Sequence, residues 1–280
     1  MKFTKVHGLG NDFILINCLE QTIDNPSQLA KEMCDRNFGI GADGLVLVLA
    51  SELEEADFRM RIFNPDGSEP EMCGNAIRCF AQYLYERDLT NKTDLKVETL
   101  AGIIKPKLVL DGEEDVELIK VDMGQPRLQR SEIPMTGAES EKVVQETLHV
   151  AGEEFEVTCV SMGNPHSVIF VDDAEEAPVE EIGPKIETHE RFPEDINVEF
   201  IEVINETELK MRVWERGAGV TLACGTGACG STVAAILNDL VEDKVTVHLL
   251  GGDLVIEWAA NNHVYMSGPA EEVFTGHYSN

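Results

Sequence analysis

Short apolar runs separated by polar turns recur along the chain, and their lengths are typical of β-strands. Several of them combine alternating polar and apolar positions with β-branched residues, which is the pattern of strands buried on one face. The predicted strands are 45–49, 58–63, 95–99, 198–203, 210–214, 245–249 and 264–266.

Four other segments carry the wider spacing of helices. The first is Ser27–Asn37, with Ser27 as its expected N-cap, and another is 179–190. The remaining two, 76–85 and 228–237, lack internal proline, and the second is rich in small residues. Strands and helices mixed in this way predict an α+β protein.

Two parts of the sequence resemble each other. Residues 61–75 match residues 212–226, with an offset of 151 positions (224 − 73). Upstream, Gly10-Asn11 and Gly163-Asn164 each precede an apolar run, with an offset of 153 (164 − 11). Two matches in the same order at nearly the same spacing indicate an internal duplication.

The duplication predicts two similar domains, residues 1–124 and residues 125–280. The boundary is placed at the turn Gly124-Gln125-Pro126, because glycine and proline together favour a break between elements. The sequence leaves open whether residues 269–280 pack on the first domain.

Composition narrows the range of partners. The chain has 280 residues, 43% of them hydrophobic, and a formal net charge of −30. A surface this acidic repels a phosphate backbone, so nucleic acid is not an expected partner. The first residues lack the apolar run of a secretion signal, and no stretch reaches the roughly 18 apolar residues of a membrane helix. We therefore expect a cytoplasmic protein without a membrane partner.

Seven cysteines in a chain of this kind predict reduced thiols rather than a disulfide framework. There is no Cys-x-x-Cys motif, and the pairs Cys73/Cys79 and Cys224/Cys229 do not share a helix face, so neither a redox motif nor a zinc site is indicated. Five cysteines without a motif are interpreted as structural: Cys18, Cys34, Cys79, Cys159 and Cys229.

Cys73 and Cys224 differ from the others because each lies on a glycine-containing turn that opens a predicted helix. Free N–H groups and the positive end of the helix dipole favour a thiolate there, by up to ~2 kcal/mol. The N–H groups of Gly74-Asn75 and Gly225-Thr226 can also hold the charge of a carboxylate. Two such turns suit the inversion of a stereocentre, in which one thiolate removes a proton and the other thiol supplies one.

The ordered motifs of the chain resemble the diaminopimelate epimerase family from residue 7 to residue 228. The matching segments are His7-Gly-Leu-Gly-Asn-Asp-Phe13, Gly39-Ile-Gly-Ala-Asp-Gly44, Asn64-Pro-Asp-Gly-Ser68, Met72-Cys-Gly-Asn-Ala-Ile-Arg-Cys79, Gly163-Asn-Pro-His166, Asn197, Glu215-Arg216 and Ala223-Cys-Gly-Thr-Gly-Ala228.

This resemblance implies two mixed α/β barrel-like domains, each around a central helix, with the active site in the cleft between them. It implies interconversion of LL- and meso-diaminopimelate, in lysine and peptidoglycan biosynthesis, with no cofactor and no metal. A homodimer is also expected from the resemblance.

The resemblance also implies a role for each matched position. Cys73 and Cys224 would be the acid and base, and His166 and Glu215 would tune the two thiols. The implied substrate ligands are Asn11, Asn64, Gly74, Asn75, Asn164, Asn197, Glu215, Arg216, Gly225 and Thr226.

The sequence departs from the family pattern at two positions. Gly44 stands where many members carry a glutamine that contacts substrate, and Ala76 replaces a frequent glycine. The repeat aligns Gly44 with Asn197 (197 − 44 = 153), so the first half lacks a side-chain contact that the second half retains.

Two other functions remain open on the sequence. One is a two-thiol racemase of the proline racemase type, which also places paired cysteines on glycine turns. The other is a non-catalytic or redox thiol protein on the same duplicated scaffold. The number of polar residues matched to substrate ends favours diaminopimelate, because a substrate with two charged ends needs more polar ligands than proline.

Overall fold

The computed structural model describes residues 1–279, which form two compact units. The first unit comprises Met1–Asp122 together with the segment from Ser267 onward, and the second comprises Met123–Met266. Residues 267–279 thus belong to the first unit, where the strand Glu271–His277 pairs with the strand Lys2–Gly8. Within the described residues, no helix is both long enough and apolar enough to cross a membrane.

The first unit is built on a sheet of seven strands, with two helices and an antiparallel hairpin. The strand order is β18-β1-β2-β3-β4-β5-β6, and β7 pairs with β8. Its elements are β1 Lys2–Gly8, β2 Asn11–Asn17, α1 Pro26–Met33, β3 Gly44–Ala50, β4 Phe58–Phe63, α2 Gly74–Glu86, β5 Val97–Thr99, β6 Gly102–Ile104, β7 Lys107–Leu110, β8 Val116–Asp122 and β18 Glu271–His277.

The second unit has the same kinds of elements. Its strands follow the order β17-β16-β15-β13-β12-β11-β10-β9, and the short β14 pairs with β13. The elements are a 3₁₀ turn at Arg130–Glu132, β9 Glu146–Val150, β10 Glu153–Ser161, β11 Pro165–Val171, α3 Val179–Glu187, β12 Asn197–Asn205, β13 Glu208–Glu215, β14 Gly219–Val220, α4 Gly225–Leu237, β15 Lys244–Leu249, β16 Gly252–Trp258 and β17 Val264–Gly268.

Strand register confirms the internal duplication. In the first unit β2 and β3 are parallel, and Phe13 lies opposite Gly44. In the second unit β11 and β12 are parallel, and His166 lies opposite Asn197. Both residues of the pair are displaced by 153 positions, the offset found in the sequence. The antiparallel pairs that follow, β3–β4 and β12–β13, also correspond.

A helix lies at the centre of each unit, as the resemblance implied. Helix α2 packs against β1, β8 and further strands of its unit, and it buries Ile77, Phe80 and Leu84 completely. Helix α4 packs against β10, β16 and β11 with a face of small buried residues from Gly227 to Ala235. Because small side chains let a backbone approach its neighbours closely, α4 leaves room for polar groups on the strands beneath it.

Several helix ends differ from the prediction, and the largest difference is in α1, which ends at Met33 and not at residue 37. Helix α1 covers Pro26–Met33 and is capped by Asn25, whose side chain accepts a hydrogen bond from the Gln28 N–H at 3.2 Å. The Ser27 hydroxyl instead donates to the carbonyl of Gly67 at 2.7 Å, so it is not the cap. Helix α3 ends at Glu187 rather than at residue 190. Proline at the first turn explains the shift in α1, since its fixed φ suits that position.

Candidate active site

Cys73 is the N-cap residue of α2 and is half-buried. Its Sγ atom lies 3.9 Å from Oδ1 of Asn11, a distance suited to a weak S–H donor. The same oxygen accepts a hydrogen bond from the Asn75 side chain at 3.0 Å, and the Asn11 amide donates to Asp43 at 2.8 Å. The structure therefore brings three predicted site residues together, with Asp43 fixing the orientation of the Asn11 amide.

Two further predicted positions of the first unit are set by their own turns. Asn64 follows β4, and its side chain donates to the Ser68 hydroxyl at 2.9 Å. Gly44 opens β3, and a Cβ atom there would lie 3.2 Å from the Phe13 ring and 3.1 Å from the carbonyl oxygen of Phe63. A glutamine at this position would require Phe13 to move, so the departure from the family pattern fits the local packing.

Cys224 occupies the equivalent N-cap position of α4 but is far less accessible, at 4% exposure. Its Sγ accepts a hydrogen bond from the Gly227 N–H at 3.4 Å and lies 3.6 Å from the Thr226 hydroxyl. Cys73 makes no such bond to the start of its own helix. The two cysteines are equivalent in the fold and different in their surroundings.

Burial and two carboxylates raise the pKa of Cys224 well above its ordinary value. Burial is the largest cause, Glu215 and Glu199 add to it, and the hydrogen bonds from Thr226 and Gly227 act in the opposite direction. The expectation that a helix start lowers the pKa of this thiol is therefore wrong for Cys224. Loss of hydration and nearby negative charge outweigh the dipole.

A chain of hydrogen bonds connects Cys224 to the strands below it. The Asn164 amide donates to the Thr226 hydroxyl at 3.2 Å, and its Oδ1 lies 3.2 Å from Nε2 of His166. On the other side of the imidazole, Nδ1 lies 2.6 Å from Oε1 of Glu199. His166 and Glu199 have no exposed side-chain surface.

Sequence analysis missed Glu199. A signal was present, since this glutamate lies between apolar residues in the segment Val198-Glu-Phe-Ile201. Charged side chains are almost never fully buried without a partner. A glutamate flanked by apolar residues inside a central strand thus indicates a buried partner, and only the parallel pairing of β11 with β12 shows that this partner is His166.

Asn197, Glu215 and Arg216 form a second group in this unit. Asn197 is 3% exposed; its amide donates to the carbonyl of Pro165 at 2.7 Å and its Oδ1 accepts the backbone N–H of Arg216 at 2.9 Å. The Arg216 guanidinium donates to the carbonyl of Glu194 at 2.7 Å. The Glu215 carboxylate accepts a hydrogen bond from the Thr221 hydroxyl.

Burial keeps four of the other thiols protonated near neutral pH. It raises the pKa of Cys34, Cys79 and Cys159 to about 12 and that of Cys18 to about 11. Among residues 1–279, no three His, Cys, Asp or Glu side chains cluster in a way that could hold a metal ion.

Known proteins are similar to this chain over nearly its whole length. The family model for diaminopimelate epimerase matches residues 3–129 and 158–273. Proteins named diaminopimelate epimerase from Acetivibrio thermocellus and Pelotomaculum thermopropionicum are each 59% identical, covering 99% of this chain and 98% and 99% of their own lengths. The protein of that name from Methanococcus maripaludis is 52% identical over 99% of both chains.

Solved structures of low sequence identity share the fold. A Bacillus anthracis phenazine biosynthesis protein of the PhzF family superposes with a TM-score of 0.72 at 18% identity, covering 99% of this chain and 98% of the other. A hydroxyproline epimerase from Agrobacterium vitis gives 0.70 at 14% identity, over 99% and 91%. The family model and the full-length relatives are more specific than the fold, and they show that this chain belongs to the diaminopimelate epimerase family.

Proposed function

We propose that this protein interconverts LL- and meso-diaminopimelate by proton transfer at one α carbon, with Cys73 and Cys224 as base and acid. Membership of the family and 59% identity to full-length relatives support the reaction. Lysine and peptidoglycan biosynthesis is the corresponding metabolic context.

One observation supports the assignment of these two thiols as acid and base. Each is the N-cap of a 13-residue helix that begins with glycine, and the two helices occupy equivalent places in duplicated units. Each helix start offers unpaired backbone N–H groups, which bind anions and stabilise a charge that develops on a carboxylate. A thiol and an anion site are thus present twice.

In the proposed reaction the thiolate removes the α proton and becomes a thiol. The electron pair left on the α carbon delocalises into the adjacent carboxylate, whose charge the helix-start N–H groups stabilise. The second thiol then gives its proton to the opposite face of the carbon and becomes a thiolate. The reverse reaction exchanges the two roles, so one enzyme form accepts each stereoisomer.

The raised pKa of Cys224 supports different resting states for the two thiols in this proposal. Because the pKa of Cys224 is raised well above its ordinary value, Cys224 is the thiol at rest. Cys73, which is half-buried, then serves as the base for the first half-reaction. Glu215 acts on this balance through its charge near Cys224.

Polar residues around the two helix starts are proposed to bind the substrate. Backbone N–H groups of Gly74, Asn75, Gly225 and Thr226 hold the reacting carboxylate, and His166 and Glu215 tune the site. The side chains proposed to bind the remaining polar groups of diaminopimelate are those of Asn11, Asn64, Asn164, Asn197, Glu215 and Arg216.

A solvent-exchange experiment tests the reaction and its substrate. The protein is incubated in D₂O under reducing conditions with LL-diaminopimelate or with L-proline, and loss of the α-proton NMR signal is followed. We expect exchange with diaminopimelate alone. Exchange with proline alone would replace the substrate assignment, and exchange with neither would leave a non-catalytic or redox thiol protein.

Cysteine variants test the assignment of acid and base. Cys73→Ala and Cys224→Ala should each abolish epimerisation, because inversion needs both groups. Cys79→Ala and Cys229→Ala, on the same two helices, control for the loss of a helical cysteine and should retain activity. Full activity in either of the first two variants would refute the two-thiol mechanism.

The homodimer expected from the resemblance and the cytoplasmic location expected from the sequence stay predictions. Sedimentation velocity of the purified protein tests the first, with a single species near twice the chain mass expected. A species of one chain mass at micromolar concentration would contradict it.

A further inference from the structure

A buried acid–imidazole pair distinguishes the second unit from the first. His166 on β11 and Glu199 on the adjacent β12 both have fully buried side chains and meet at 2.6 Å. At the offset of 153 positions, the corresponding residues of the first unit are the apolar Phe13 and Val46. A function shared by both units therefore does not account for this pair.

Glycines of α4 make the space that the pair occupies. A Cβ atom on Gly227 would lie 2.8 Å from Oε1 of Glu199 and 3.1 Å from Sγ of Cys224. A Cβ atom on Gly230 would lie 3.3 Å from the His166 side chain. The carboxylate and the imidazole thus lie directly beneath the helix start that carries the reactive thiol.

The hydrogen-bond partners of Asn164 determine where the protons are. Its amide nitrogen faces the Thr226 hydroxyl, so its carbonyl oxygen faces Nε2 of His166 and can only accept a proton. Nε2 is therefore an N–H group. The contact between Nδ1 and Glu199 contains a further proton, and the pair as a whole carries no net charge.

The opposite orientation of the Asn164 amide is disfavoured by charge burial. It would direct the NH₂ group at Nε2, which would then have to be unprotonated. His166 would be neutral, and Glu199 would remain an uncompensated carboxylate without exposed surface. Within residues 1–279, Oε2 of Glu199 has no hydrogen-bond partner to offset that charge. Burying such a charge costs far more than one hydrogen bond returns.

We propose that Glu199 is a positioning residue that acts through His166 to fix the side-chain orientation of Asn164. In this orientation the Asn164 NH₂ group faces Thr226 and presents its second hydrogen to the polar group of diaminopimelate that Asn164 binds. The inference rests on the proposed function, because it takes Asn164 as a substrate ligand. It adds a buried residue whose role is to set a donor, not to touch the substrate.

Two substitutions of similar size separate this role from simple packing. Glu199→Met fills the same volume but leaves Nδ1 without a partner, so the amide loses its preferred orientation. We expect KM for diaminopimelate to rise about tenfold, because roughly one hydrogen bond to the substrate is lost, and we expect a smaller change in kcat. Glu199→Gln can donate to Nδ1 and keep the proton on Nε2, so it should restore most of the affinity.

The exposed pair His149–Glu154 supplies a matched control in the same unit. Its side chains are each 73% exposed and 3.6 Å apart. Glu154→Met should leave KM and kcat unchanged. If Glu199→Met and Glu199→Gln give the same KM as each other, whether raised or unaltered, the positioning role is overturned.

A spectroscopic measurement keeps the test independent of activity and of variant folding. In ¹⁵N-histidine-labelled unsubstituted protein, long-range ¹H–¹⁵N correlation should show Nε2 of His166 protonated at neutral pH. An unprotonated Nε2 would overturn the inference even if the enzyme is active. Conversely, a protein that exchanges no diaminopimelate proton but shows a protonated Nε2 would refute the proposed function and leave the buried network in place.

A double-mutant cycle shows whether Glu199 acts through Asn164. In an Asn164→Ala background, Glu199→Met should raise KM no further, because the side chain that it orients is already gone. Independent, multiplicative effects of the two substitutions on KM would contradict the proposed route.

Discussion

Gly227 offers a sensitive test of the packing around Cys224. A methyl group at this position would lie 2.8 Å from Oε1 of Glu199 and 3.1 Å from Sγ of Cys224. Neither neighbour can move freely, because Glu199 is held by His166 at 2.6 Å and both Cys224 and Glu199 are buried. Gly227→Ala therefore forces a shift in the Cys224 thiol, the Glu199 carboxylate or the start of α4.

Two opposing effects determine how much Gly227→Ala changes the free energy of unfolding. Alanine favours a helix over glycine by up to about 1 kcal/mol. Overpacking of a well-filled core costs about 1–3 kcal/mol. With a contact of 2.8 Å against a fixed carboxylate, the second effect dominates, and we expect the free energy of unfolding to fall by about 1–2 kcal/mol. Displacement of the thiol should also lower kcat by at least about tenfold.

Urea unfolding and steady-state epimerisation measure the two effects on the same variant. The equivalent position of the first unit is Ala76 (227 − 151), so Ala76→Gly is the matched control. That variant should lose about 1 kcal/mol of stability through helix propensity, with little change in kcat. A Gly227→Ala protein that is as stable and as active as the unsubstituted one would refute the account of this packing.

Three further predictions concern charge and buried bonds. Glu215→Gln should lower the pKa of Cys224 and speed its alkylation by iodoacetamide near neutral pH, because Glu215 raises that pKa; an unchanged or slower rate by peptide mass spectrometry would contradict this. Burial raises the pKa of the Cys159 thiol to about 12 in the folded protein. In the unfolded chain the same thiol has its lower, ordinary pKa and ionises first as pH rises. Between these two pKa values the free energy of unfolding should therefore fall, by up to about 1.4 kcal/mol per pH unit. In Cys159→Ala the free energy of unfolding should fall less steeply with pH, as measured by urea unfolding at about pH 9.5 and 10.5. A pH dependence equal to that of the unsubstituted protein would contradict this prediction. Asn197→Ala leaves the carbonyl of Pro165 and the N–H of Arg216 without their partner and should cost about 2–3 kcal/mol by urea unfolding; a loss below about 0.5 kcal/mol would show that these bonds are replaced.

Sequence reasoning worked best where periodicity is strong. The strand Phe58–Phe63 has the predicted bounds, and the repeat offset of 153 reappears in the register of β2 with β3 and of β11 with β12. Buried strands in a duplicated fold repeat their side-chain pattern, so both signals survive in a single sequence. The edge strand β18 was not predicted, because nearly all of its residues are exposed and the apolar pattern is weak.

The candidate site was harder to predict where burial decides the chemistry. A helix start favours a thiolate, yet the net pKa shift of Cys224 is upward because of its burial and its carboxylate neighbours. Glu199 escaped notice because its partner is 33 positions away in the sequence and becomes adjacent only through the parallel pairing of β11 with β12. Sequence alone points to the two thiols proposed to react but not to the interactions that set their protonation.

The central claim is that two different thiols remove and supply the proton, and the distribution of label at early conversion tests it most directly. LL-diaminopimelate is incubated with the enzyme in D₂O, and substrate and meso product are separated while little has reacted. If two thiols act, the product should carry deuterium at one α carbon and the remaining substrate almost none. The reason is that the removed proton stays on one thiol while the other thiol delivers deuterium. Equal labelling of substrate and product at that stage would contradict the account, since it would show that a single group serves both faces of the carbon.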